Sequence, residues 1–226
     1  MNLLEHYTCL WEETEAQFTA GHFELDPLLD SPHDSRRGLT VLIRPGAEVK
    51  ARLRQFLQEL AQLEPAQYYY PASDIHITLL SIISCYPGFQ LGQINLAPYS
   101  HLVQQALQGV SPFQVEFTGM TASPSCVMVQ GFPLGEQLNQ LRNNLRTAFQ
   151  ASGLQQSIDQ RYAIQTAHST VVRFRKPLQQ PQQFLEKLRE YRHQAFGSCV
   201  VREVELVYHD WYQRQENTQV LGRFSL

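Results

Sequence analysis

Cysteine is scarce in this chain and follows no pattern. Cys9, Cys85, Cys126 and Cys199 show no C-x-x-C spacing, which argues against a zinc knuckle or a disulfide framework and suits a reducing cytoplasm. Long apolar runs are missing as well. The opening Met1-Asn2-Leu3-Leu4-Glu5-His6 lacks the basic start and apolar centre of a secretory signal, and no stretch approaches a membrane span. The expectation is a soluble protein with no membrane partner. Nor is there a surplus of positive charge, since 18 Lys and Arg stand against 21 Asp and Glu, a formal net charge of −3. Tracking a long nucleic-acid backbone requires a broad basic surface. A small anionic ligand or one RNA end needs much less.

Apolar material is ample. With 43% hydrophobic and 11% aromatic residues over 226 positions, disorder is excluded and one sizeable domain, or two small lobes sharing a cleft, is expected. Residues 2–20 read as a helix, with Leu3, Leu4, Tyr7, Leu10, Trp11 and Phe18 roughly on one side, followed by a Pro- and Asp-rich loop to Gly38. We take 1–38 as an N-terminal extension and 39–226 as the main domain. Leu39–Ile43 reads as a buried strand, and the Val49, Leu53, Phe56, Leu57, Leu60, Leu63 spacing as a helix. A helix over 97–107 precedes two alternating strands around Phe113–Phe117 and Val127–Val129, which suggest a hairpin. The next helix, 134–151, turns Leu134, Leu138, Leu141, Leu145 and Phe149 inward and leaves Arg142, Asn143 and Arg146 outward or lateral. A helix over 181–195 capped by Gly197, a strand over Val200–Tyr208 and a strand over Thr218–Phe224 complete the chain.

Two short stretches stand out against this background. Asp74-Ile-His76-Ile-Thr78-Leu79 and Ala167-His168-Ser-Thr170-Val171 share the order His-x-Thr-apolar, 92 residues apart, and each follows an amphipathic helix. In a strand, residues two apart share a face, so His76 pairs with Thr78 and His168 with Thr170. An imidazole exchanges a proton near neutral pH, and a hydroxyl can bond an anionic oxygen. Two such pairs facing one another supply an acid, a base and a cradle for one phosphate. A single His-x-Thr is a weak signal; two on matching strands, in a degenerate internal duplication, are a strong one.

Tyr70-Pro-Ala-Ser-Asp-Ile-His76-Ile-Thr78-Leu79 and Ala167-His168-Ser-Thr170-Val-Val-Arg173 resemble the paired motifs of the 2H phosphoesterase superfamily, which includes RNA 2′,3′-cyclic phosphodiesterases also called 2′-5′ RNA ligases. The resemblance covers roughly residues 39–226. It implies an α+β, bilobal, pseudo-twofold fold: two antiparallel sheets flanked by helices, with the active cleft between the lobes and no metal or cofactor. It carries His76, His168, Thr78 and Thr170 over as catalytic residues, with His168 as base and His76 as acid. Ser169 departs from the apolar residue usual at that position, so its strand is expected to be less deeply buried.

Weaker candidates surround these four. Arg161, Arg173, Arg175 and Lys176 offer positive charge near the second motif, although plain alternation sets Arg173 opposite His168 unless a bulge or strand end intervenes. Tyr70, Tyr208 and Trp211 are candidates for substrate contact by stacking, as are Tyr68, Tyr69 and Tyr212; core packing is the competing role. The remaining histidines, His6 and His209 among them, read as surface or structural. The function expected is metal-independent hydrolysis of a 2′,3′-cyclic phosphate on an RNA end or small nucleotide. The alternatives are a binding module for phosphorylated nucleotides or RNA ends, 2′-5′ ligase or phosphodiesterase activity, and a metal hydrolase, for which Asp74 would be the lone carboxylate ligand.

Overall fold

The computed structural model describes residues 2–161 and 163–226; Met1, the first residue of the expected extension, lies outside them. Helix α1 (Leu3–Thr19) starts at a capping box, in which the Glu5 N–H donates to Asn2 and the Asn2 N–H to the Glu5 carboxylate. It buries Tyr7, Trp11, Thr14 and Phe18. The chain then continues through β1 (Arg36–Ile43), α2 (Ala47–Leu63), β2 (Tyr68–Tyr69), β3 (Ile77–Pro87), α3 (Leu96–Ala106), the hairpin β4 (Phe113–Ser123) and β5 (Cys126–Pro133), α4 (Gln137–Ala151), β6 (Ser169–Arg173), α5 (Pro181–Glu190), β7 (Ala195–Val201), β8 (Glu203–Asp210) and β9 (Gln219–Ser225).

Two antiparallel sheets result. One has the order β3-β1-β8-β9 and the other β2-β6-β5-β4-β7, so each sheet holds one motif strand. Helix α2 packs on β7, α1 on β4, and α4 on α3 and β3. The inner faces of both sheets and the apolar stripes of the helices merge into one continuous core.

The motif strands share an irregularity. Against β1, Leu80 pairs with Val41 and Thr78 with Leu42, which leaves Leu79 without an opposite residue. Against β5, Val172 pairs with Val127 and Thr170 with Met128, which leaves Val171 unmatched. A β-bulge therefore follows each motif threonine by one position, and the duplication extends to the backbone. Each bulge buries two consecutive residues, Leu79 with Leu80 and Val171 with Val172.

Tertiary pairing corrects several local expectations. Helix α5 stops at Glu190 because Ala195–Val201 pairs with the edge of β4, where Gly197 lies opposite Phe117 with φ +103 rather than capping a helix. The span read as one strand, 200–208, divides at Arg202, with β7 in one sheet and β8 in the other. Leu134 is 47% exposed because its N–H is drawn to the Gln114 carbonyl and α4 begins only at Gln137. Arg142, expected outward or lateral, is 1% exposed. Ser169 is fully buried, contrary to the expectation of a shallower strand, because its side chain faces inward beside the core residues of β6.

Candidate active site

His76 and His168 each sit one residue before their strand, at the point where the chain enters the sheet. Together with Thr78 and Thr170 they line a single cleft of about 850 Å³. All four are half-buried, with their faces on the cleft and their neighbours Ile77 and Ser169 in the interior. The strand alternation read from the sequence thus holds through each His-x-Thr.

The two imidazoles are anchored differently. Nδ1 of His76 lies 2.7 Å from the main-chain oxygen of Asp74. Nδ1 of His168 lies 2.6 Å from the hydroxyl of Thr166. Burial pushes both histidines below the usual imidazole range, His76 to about 3 and His168 to about 4. Smaller influences act on both: the Asp74 carbonyl favours the charged form of His76 while Arg44, His209 and His168 disfavour it, and Arg142, Arg173 and His6 disfavour a charge on His168.

Arg173 does reach the cleft. The bulge at Val171 inverts the alternation, so His168, Thr170 and Arg173 share a face, and Arg173 also ends its strand. Its Nε donates to the hydroxyl of Tyr70 at 3.1 Å, and Tyr70, itself 4% exposed, lines the cleft beside it. Trp211 lines the cleft too, with the guanidinium groups of Arg36 and Arg161 at 4.6 and 5.0 Å from its ring. Arg161 is itself a lining residue and donates to the Cys85 carbonyl.

The other aromatic candidates are occupied elsewhere. Tyr208 turns away from the cleft: its hydroxyl donates to the Phe89 carbonyl and its ring packs edge-on against Phe89, because it lies on the opposite face of β8 from His209. Tyr69 donates to the Glu64 carbonyl, and Tyr68 and Tyr212 pack around Arg214. Arg175 pairs with Asp30 at 3.0 Å. Asp74 is 3% exposed and its carboxylate accepts from Ser73 and from the Gln215 N–H, so it is a structural anchor and not a candidate ligand. Among the described residues no cluster of three His, Cys, Asp or Glu side chains could hold a metal ion.

Two of the cleft histidines were not foreseen as site residues. His209 lines the cleft, with Nε2 2.7 Å from the Thr40 hydroxyl and Nδ1 2.6 Å from the Asp210 carbonyl; burial pushes it down to about 4. Its placement depends on β8 pairing with β1, which no local pattern reveals. His6 enters from α1, one turn before Leu10, which also lines the cleft. The i, i+4 spacing of His6 and Leu10 was the available signal.

Two sheets, two bulged His-x-Thr strands and one shared cleft define a paired-histidine phosphoesterase architecture. The sequence of residues 45–212 matches the 2′-5′ RNA ligase superfamily, and the chain belongs to that family. Its fold is similar to the crystal structure of a phosphoesterase (TM-score 0.57, 18% identity, covering 84% of this chain and 98% of that one). It is equally similar to Escherichia coli LigT complexed with 3′-AMP (TM-score 0.57, 18% identity, 84% and 98%). TT0787 of Thermus thermophilus is another structural relative (TM-score 0.53, 19% identity, 84% and 97%). No curated protein sequence matches. Among the described residues no helix is long and apolar enough to cross a membrane.

Proposed function

We propose that this protein hydrolyses 2′,3′-cyclic phosphodiesters on nucleotides or RNA ends by paired-histidine acid–base catalysis that needs no metal. The observation that carries the reading is the convergence of His76, Thr78, His168 and Thr170 on one cleft, each imidazole held at Nδ1 so that Nε2 is left for substrate. Hydrolysis requires a base for water and an acid for the departing ribose oxygen, in line across phosphorus. His168, kept neutral by burial and by the nearby Arg142 and Arg173, is suited to take the proton of water. His76 takes the acid role from the family resemblance, passing a proton to the ribose oxygen as the P–O bond breaks; its Nδ1–H bond to the Asp74 carbonyl offsets part of the burial that lowers its pKa. The attacking water oxygen becomes part of a phosphate monoester. Thr78, Thr170 and Arg173 would hold the non-bridging oxygens.

Structures of LigT with 3′-AMP, ATP and NADP+ support a nucleotide as the substrate class. The same fold supports a 2′-5′ ligase or phosphodiesterase as the second reading. Residues 39–226 are proposed as the catalytic domain and 1–38 as its extension, with support from the start of the family match at residue 45; the extension nonetheless supplies the start of β1 at Arg36 and, from α1, His6 and Leu10 of the cleft. The unpaired cysteines suit a cytoplasmic setting.

The test is a panel of 2′,3′-cyclic nucleotides, RNA with a cyclic phosphate end and 2′-5′-linked dinucleotides, assayed with purified protein in EDTA. Turnover of the cyclic substrates is expected. Binding without turnover would favour a binding module, turnover of the 2′-5′ linkage alone the second reading, and loss of activity restored by a divalent ion a metal hydrolase.

A further inference from the structure

A buried arginine that the catalytic scheme does not use connects the two motifs. Arg142 enters the interior from α4. Its Nε donates to the Leu79 carbonyl at 2.9 Å, and its Nη2 donates both to the Thr78 carbonyl at 3.0 Å and to the Thr166 carbonyl at 2.7 Å. Thr78 and Leu79 are the motif threonine and the bulge residue of β3; Thr166 is two residues before His168 and holds its Nδ1. A bulge interrupts the ladder and leaves carbonyls in need of donors. One planar guanidinium thus satisfies the bulge of the first motif and grips the approach to the second.

The same peptide is held from its other end. The Ala167 N–H, in the peptide whose oxygen Arg142 grips, donates to the Tyr7 hydroxyl at 3.1 Å, and that hydroxyl also meets the main chain of Gly131. Tyr7 is fully buried on α1. Gly131 must lack a side chain here, since a Cβ would collide with the Ala167 oxygen. Among the described residues Arg142 also has no buried carboxylate partner: its three bonds there are all to main-chain carbonyls, and Nη1 finds no partner. Burying a guanidinium without a counter-charge is costly. A Leu or Met would suffice if this position served packing alone.

We propose that Arg142, with Tyr7 clamping the opposite end of the Thr166–Ala167 peptide, is a positioning residue that fixes the two His-x-Thr motifs at working separation and makes α1 part of the site. It touches no substrate and acts through His168 and Thr78. The proposal rests on the phosphodiesterase reading only where activity is measured.

The experiment uses the full chain with Arg142→Lys, which keeps the charge but loses the fork, and Tyr7→Phe, which keeps the ring but loses the hydroxyl. Each is read in two ways at a temperature well below its thermal midpoint. Imidazole ¹⁵N shifts of His76 and His168 at neutral pH report tautomer and local geometry without any turnover. Steady-state kinetics on a 2′,3′-cyclic nucleotide report the split between kcat and KM. Displacement of a reacting group by about 1 Å costs about 100-fold, so Arg142→Lys is expected to lower kcat by about 10–100-fold with KM little changed, and Tyr7→Phe by about 10-fold. The His168 ¹⁵N shifts are expected to move in both variants. Folded variants with wild-type shifts would overturn the proposal, whatever their thermal stability. If the wild-type protein turns over no cyclic phosphate, the phosphodiesterase reading fails, and the shifts alone decide the role of Arg142.

Discussion

Nδ1 of His76 lies 2.7 Å from the main-chain oxygen of Asp74, an acceptor with no proton of its own to give. That contact assigns the proton to Nδ1 and leaves Nε2 as the atom that would exchange a proton in the proposed reaction. The Nδ1–H bond offsets part of the burial that holds the ring below the usual imidazole range. His168 has the Thr166 hydroxyl at this position, and each ring has a cation nearby, Arg44 for His76 and Arg142 and Arg173 for His168.

The roles of the two histidines separate by leaving group. A ribose alkoxide needs a proton on departure and a nitrophenolate does not, so the acid becomes dispensable with a nitrophenyl phosphodiester. His76→Ala is expected to recover most of its lost kcat/KM on that substrate relative to a cyclic nucleotide, while His168→Ala stays impaired on both. Recovery in His168→Ala instead would exchange the roles.

Thr78→Ala and Thr170→Ala are each expected to lower kcat by about 10–1000-fold, the scale of one lost oxyanion-type hydrogen bond. Both threonines are half-buried on the cleft wall, and their inward neighbours carry the packing. Thermal midpoints should therefore change little. Near-normal turnover in both variants would remove the hydroxyl cradle from the mechanism.

Acid should destabilise the fold through its buried histidines. His209 is 4% exposed and held down to about 4 mainly by burial. Below its ordinary value near 6.5 the unfolded chain binds a proton that the folded one refuses, so stability is complete above about pH 6.5 and falls as pH drops toward 4. The slope from one such group is at most about 1.4 kcal/mol per pH unit. His209→Asn is expected to flatten the decline of the thermal midpoint between pH 6.5 and 4.5. An unchanged slope would mean that His209 is protonated in the native protein.

Ser169 offers a stability test within the second motif. Its hydroxyl is fully buried and finds no partner among the described residues. An unsatisfied buried polar group costs about 1–3 kcal/mol, so Ser169→Ala should raise the unfolding free energy by about 1 kcal/mol. Chemical denaturation measures it, and a loss of stability would indicate that the hydroxyl is bonded.

Much of this protein is legible from local pattern. The periods of 2 and 3.6 are properties of single elements, so Ile77 and Leu79 on the inner face, the apolar stripes of α2 and α4, and the shared face of each His-x-Thr follow from the sequence alone. Whatever depends on a partner strand escapes that reading. Arg173 faces the cleft because Val171 is extruded from its pairing with β5, and a bulge is a mismatch between two strands, invisible in one. His209 joins the site because β8 crosses to lie beside β1, and α5 ends early because the edge of β4 competes for Ala195–Val201. Arg142 reads as a surface residue on a helical wheel, yet the bulge at Leu79 and the Thr166 carbonyl create acceptors that exist only once both motif strands are in place. The sequence determined which side chains could be proposed for the chemistry; the pairing of strands distant in the chain decided which of their neighbours face them, because hydrogen bonds left open by one strand are closed by another.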